Sequence, residues 1–117
     1  MGVEDAGKKV MLEAFGAEGV RCRLYDDDET ELSGEGYEEQ TISWTYDSGM
    51  VILNADNLPG EDYIAEFNVP AGIVKYIGVL DTDGNLLAIH DLEEEAETFV
   101  NPGVYQVISG SLELDPE

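Results

Sequence analysis

Only one stretch of the chain has helical spacing. In residues 3 to 15, VEDAGKKVMLEAF, the residues Val3, Ala6, Val10 and Ala14 form a stripe that Met11 and Phe15 widen. Acidic residues lead and Lys8 and Lys9 follow. Gly16 and Gly19 predict the helix end. An amphipathic helix this short is marginal alone, so it must pack on its own domain or on a neighbouring subunit. Val10, Met11 and Phe15 are the expected docking or oligomer contact.

From Val20 onward the rhythm is that of strands and turns. Val20 to Tyr25 alternates, with Val20, Cys22 and Leu24 on one face and Arg21, Arg23 and Tyr25 on the other. Tyr37 to Tyr46 alternates again, and Met50 to Leu53 is short and apolar. Ile64 to Val69, Ile73 to Leu80, Asn85 to Asp91, Thr98 to Val100 and Val104 to Leu114 complete the set. Seven or eight short strands, with turn signals about every 8 to 12 residues, point to an antiparallel sandwich or barrel. We read an all-β, jelly-roll-like antiparallel β-sandwich with one short N-terminal helix. Residues 1–19 form the helix and linker and 20–117 the sandwich, in a single domain.

Composition changes the picture mainly through charge. The chain has 117 residues, enough for one self-supporting core. Its 27 acidic residues face only 5 basic ones, for a net charge of -22. Nucleic acid is excluded as a partner, because binding it needs Lys and Arg on the phosphates. Anionic membrane surfaces are disfavoured in the same way, and no apolar run is long enough for membrane insertion. Self-repulsion strains the compact state in dilute buffer, whereas at molar salt a Debye length of about 3 Å screens it. The acids are spread along the whole chain, which reads as the surface of a protein from a salt-loving source. An ordinary acidic protein and a calcium-rich extracellular one are the alternatives. No signal-peptide-like segment opens the chain, and Ala6 stands where myristoylation needs Ser or Thr.

The chemistry-bearing residues are few. Cys22 is the one cysteine, so neither an internal disulfide nor a cysteine zinc site is expected, and its place in the alternation reads as a buried structural thiol. Asp81-Thr82-Asp83-Gly84-Asn85 looks like the start of a calcium loop, but the twelfth residue is Leu92, where an EF-hand needs Glu. Asp83-Gly84 reads better as a hairpin turn, since both residues tolerate positive φ. Gly78, inside the preceding strand, suggests a bulge or a close approach by another backbone. Asp26 to Glu31 could gather carboxylates around a cation, yet in so acidic a chain a solvated loop is the plainer reading, as it is for Glu93 to Glu97. Ser109-Gly110-Ser111 lacks the hydrolase elbow, no phosphate loop is present, and His90 reads as a structural or surface residue. No enzyme activity, cofactor or metal is expected. Tyr37, Trp44 and Tyr46 could offer an aromatic surface to a sugar, or serve as sheet core.

The order of short sequence words then becomes informative. Leu24-Tyr25-Asp26-Asp27-Asp28 is followed by Glu31-Leu32-Ser33-Gly34-Glu35-Gly36-Tyr37 and Gln40-Thr41-Ile42-Ser43-Trp44. Phe67-Asn68-Val69-Pro70 and Ala71-Gly72-Ile73-Val74-Lys75-Tyr76-Ile77-Gly78-Val79 come next, then Gly84-Asn85-Leu86-Leu87 and Gly110-Ser111-Leu112-Glu113-Leu114. This succession resembles a family of small tailed-virus virion proteins, labelled tail fibre or minor tail proteins, over nearly the whole chain after about residue 9. Glu39 departs from the family, which has a basic residue there. The resemblance implies a structural β-sandwich subunit of a tail fibre, baseplate appendage or capsid spike. It would be located on the virion and made in the host cytoplasm, and with the acidic surface it suggests a virus of halophilic archaea. The implied partners are copies of itself, as a trimer or pentamer, and other virion proteins, with a role in host attachment. The family has no catalytic residues to carry over. The alternative is a glycan-binding module on a virion or cell surface.

Overall fold

The computed structural model describes residues 5–108 and 113–114. Helix α1 (Asp5–Glu18) precedes strands β1 (Arg21–Tyr25), β2 (Gln40–Thr41), β3 (Trp44–Asp47), β4 (Ile52–Ala55) and β5 (Tyr63–Val69). Then come β6 (Gly72–Val74), β7 (Tyr76–Leu80), β8 (Leu86–Asp91), a 3-10 turn at Glu93–Glu95, β9 (Glu97–Phe99), β10 (Gly103–Ile108) and β11 (Glu113–Leu114). All pairings are antiparallel. The strands form four small sheets, ordered β2-β1-β7-β8, β10-β5, β11-β4-β3 and β6-β9. The expected antiparallel β fold with a leading helix is present. Two broad sheets of seven or eight strands are not, because eleven shorter strands among the described residues divide into four ladders.

Changes of partner within predicted strands create the extra ones. Ile73 to Leu80 is interrupted at Lys75, whose N–H donates to Tyr25 O while its own carbonyl accepts from Leu92 N. Before that point β6 pairs with β9, and after it β7 pairs with β1 and β8. Tyr37 to Tyr46 breaks at Ile42-Ser43, so β2 joins β1 while β3 joins β4. The closing stretch from Val104 splits into β10 and β11, and Ser109-Gly110-Ser111 lies outside the described residues.

One core joins these ladders. Cys22 and Leu24 of β1 and Ile77 and Val79 of β7 meet Phe67 and Val69 of β5 and Tyr105 and Val107 of β10, all buried. Alternation places them there: in β5, Phe67 and Val69 point in while Glu66 and Asn68 point out. Each such side chain withdrawn from water contributes roughly 1.5–3 kcal/mol before entropy is set against it.

Helix α1 runs further than predicted, to Glu18. Val3 lies outside the described residues, and Gly16 sits within the helix. The termination falls at Gly19, whose N–H donates to Phe15 O at 2.7 Å. A Cβ on Gly19 would lie 2.8 Å from Val79 Cγ1, so this helix end fits against β7 only as glycine. The face that packs is Leu12, Phe15, Gly16 and Gly19, with Leu12 4% exposed, whereas Ala6, Val10 and Ala14 face solvent. The predicted stripe of Ala6, Val10 and Ala14 therefore lies on the side of the helix turned away from the sheet, and of the two residues that widened it only Phe15 packs. Leu12 is the anchor it omitted.

Candidate functional site

The predicted docking residues part company in the structure. Val10 and Met11 are 68% and 50% exposed, adjacent on the outer side of α1. Phe15 turns inward and meets Trp44 edge-on, with ring centroids 6.1 Å apart. Trp44 fixes the same joint from the sheet side by donating its indole N–H to Gly19 O at 2.8 Å. Phe15 thus belongs to the seam between helix and sheet, and only Val10 and Met11 are presented outward.

The three aromatics have three separate surroundings. Tyr37 stacks on Phe67 at 6.0 Å, and its hydroxyl accepts from Leu24 N at 2.9 Å. Burial pushes that phenol well above the ordinary tyrosine range. Trp44 is committed to the helix seam. Tyr46 lies beneath the Lys9 ammonium, 5.8 Å from its ring centroid. Tyr37 and Trp44 pack against the core, Trp44 with its indole N–H on backbone and Tyr37 with its hydroxyl accepting from Leu24 N and donating to Glu31 Oε2 at 3.2 Å.

Cys22 is fully buried, and desolvation pushes its thiol up to about 12, which keeps it protonated and inert. His90 stands half-buried on β8, opposite Ile77.

The two acidic loops are built on one plan. In the first, Asp26 Oδ1 accepts the N–H groups of Asp28 and Thr30 at 2.9 and 3.0 Å. In the second, Asp81 Oδ1 accepts those of Asp83 and Asn85, both at 2.9 Å. The backbone bonds match too, Asp26 N to Thr30 O and Asp81 N to Asn85 O. These are three-residue hairpin loops in which one residue takes positive φ. In the second loop it is Gly84 at 85°, while Asp83 is not among the positive-φ residues. The expected hairpin is present, with a different turn from the two-residue kind in which both Asp83 and Gly84 have positive φ. Carboxylate oxygens of Asp26, Asp27 and Asp28 lie within 4.8 Å of one another, but Asp26 is already turned to the backbone and the other two are exposed.

A cationic feature went unread in the sequence. Arg21 and Arg23 project from the same face of β1 and converge on Glu39, with Arg21 Nη1 at 2.6 Å and Arg23 Nη2 at 2.8 Å. Glu31 lies 3.6 Å from Arg23 Nη1. The hydrogen bond from Arg23, and then that from Arg21, holds the Glu39 carboxyl below the usual carboxylate range. The i, i+2 spacing of Arg21 and Arg23 signals the shared face. Nothing local signals Glu39, which arrives through the β1–β2 pairing. Arg23 lines a shallow cleft with Ser33, Gly34 and Tyr37, where its charge is already answered by Glu39 and Glu31.

The free edge of the four-stranded sheet was also missed. Among the described residues strand β8 pairs on one side only, and Leu86, Leu87 and Ile89 on it are 51%, 39% and 38% exposed. The sequence shows an apolar strand there, without showing that it ends a sheet. No helix among the described residues is long and apolar enough to cross a membrane. No protein-family model, curated protein or solved structure matches the chain.

Proposed function

We propose that this chain is a structural subunit of a tailed-virus particle: a building block of a tail fibre, baseplate appendage or capsid spike that assembles with copies of itself and with other virion proteins. The observation that carries the reading is the pair Val10 and Met11, apolar and outward on a helix whose other face is already anchored by Leu12 and Phe15. Exposed apolar groups on a surface this acidic suit a contact made with another protein. The succession of sequence words supports a virion role.

The charge arrangement supports a high-salt setting. Arg21, Arg23 and Lys75 each pair with an acid of the same chain, and Lys9 rests on Tyr46. The field outside the molecule is therefore set by carboxylates, which salt screens. We read the β5–β10 ladder across the core from β1 and β7 as a shortened sandwich.

The test is particle association. Antibody raised against the purified chain is applied to virus particles from a lysed halophilic culture that expresses it. Labelled particles are expected, and Met11→Asp is expected to lower incorporation roughly tenfold while the circular dichroism stays unchanged. Unlabelled particles, or equal incorporation of Met11→Asp, would overturn the reading.

A further inference from the structure

We propose that two copies of this chain pair antiparallel along β8, joining two four-stranded sheets into one. The proposal deepens the subunit reading by naming the contact between copies. Among the described residues strand β8 terminates the order β2-β1-β7-β8, so its outer backbone groups form an open template of the kind that recruits another strand. Proteins blunt such edges with charge, proline, bulges or inward-pointing charged residues. Between Asp83 and Asp91 this edge has neither charge nor proline, only Gly84, Asn85, Leu86, Leu87, Ala88, Ile89 and the half-buried His90, and its one irregularity is a bulge at Leu87, which is skipped where Leu80 faces Leu86 and Val79 faces Ala88. It exposes three aliphatic side chains instead.

Charge selects the occupant. A cationic partner would be drawn to the carboxylates that cover the rest of the surface. A second copy has the same net charge of -22 and can approach closely only where neither molecule presents acids. A two-fold contact brings identical patches together, so the neutral stretch of one copy meets the neutral stretch of the other. Pairing centred near Ala88 keeps the acid-free stretches together and leaves Asp81 and Asp83 of one copy to meet Glu93 to Glu95 of the other only at the two ends of the joint, where salt must screen them. The joint is short and buries less than the roughly 1,600 Å² of a standard interface. The dimer is therefore concentration-dependent and strengthened by salt.

Sedimentation equilibrium in several molar KCl tests this. The expected result is a reversible monomer–dimer equilibrium that Ile89→Glu weakens at least tenfold, about 1.4 kcal/mol, with an unchanged circular dichroism spectrum. Should Ile89→Glu misfold, Ala88→Cys gives an independent answer. Mild oxidation should join two copies through the new thiol, since Cys22 is fully buried and cannot compete. A dimer untouched by Ile89→Glu, an Ala88→Cys protein that resists cross-linking, or a monomer at every salt and protein concentration would overturn the proposal. Particle association is read separately, so a failed dimer and a failed virion role are distinguishable.

Discussion

The loop after β1 and the loop after β7 share their wiring and differ in the residue that bears the strain. Each opens with an aspartate whose Oδ1 accepts two N–H groups, and each closes with a backbone bond across five residues. In the second loop the left-handed position belongs to Gly84. In the first it belongs to Glu29, at φ 59°. A side chain in that conformation costs roughly 1–2 kcal/mol, and glycine avoids most of it. The wiring, set by the leading aspartate, suffices to make the turn, so glycine lowers its cost without specifying its shape. Val51 and Glu93 fit the same rule. Both have positive φ, and the turns around them are held by Asp47 and Asp91 accepting N–H groups.

The largest effect is expected where the two hairpins touch. A Cβ on Gly78 would lie 2.6 Å from Tyr25 Cε1 and 2.8 Å from Leu86 Cδ1. The suspected close approach is therefore made by side chains, and the bulge falls between Val79 and Leu80. Gly78→Ala must displace the Tyr25 ring and is expected to cost about 1–3 kcal/mol, read by chemical denaturation at high salt. An exchange at the left-handed positions comes next. Gly84→Glu should destabilise by about 1–2 kcal/mol and Glu29→Gly should stabilise by about 0.5–1 kcal/mol. Changes of the same sign would break the comparison.

The smallest effect is a titration. Hydrogen bonds from Asn85, side chain first and then backbone, hold the Asp81 carboxyl below the usual aspartate range. A depressed carboxyl stabilises the folded state above its unfolded pKa, and that contribution is lost as pH falls through the folded value. The amide signals of Asp83 and Asn85 should therefore shift together, at a pH below the normal aspartate midpoint. Movement at or above that midpoint would remove Asp81 as the organiser of the turn.

These loops also show what a sequence conveys. Alternation located β1 and β5, because one buried face leaves a period of two, whereas β8, with no buried residue, was located by the Asp83-Gly84 turn signal before it. It could not show that Lys75 is where one predicted strand changes partners, since both partners accept the same period. The stripe predicted on α1 falls on the outer side of the helix because Val10 and Met11 outweigh glycine in any hydrophobic count. The packed face relies instead on Gly16 and Gly19, where the absence of a side chain permits contact. Of the residues foreseen as a contact site, Val10 and Met11 face outward. Phe15, Tyr37 and Trp44 were drawn inward by neighbours that only tertiary structure supplies.

The Trp44–Gly19 hydrogen bond has a spectroscopic consequence. Trp44 is the only indole in the chain, and its ring sits in the seam where α1 meets the sheet. Its emission wavelength therefore reports helix undocking, while the rate at which Cys22 reacts with a thiol reagent reports opening of the core beneath β1. Followed together through a dilution out of concentrated salt, the two native probes distinguish a helix that peels away first from a domain that melts as one unit.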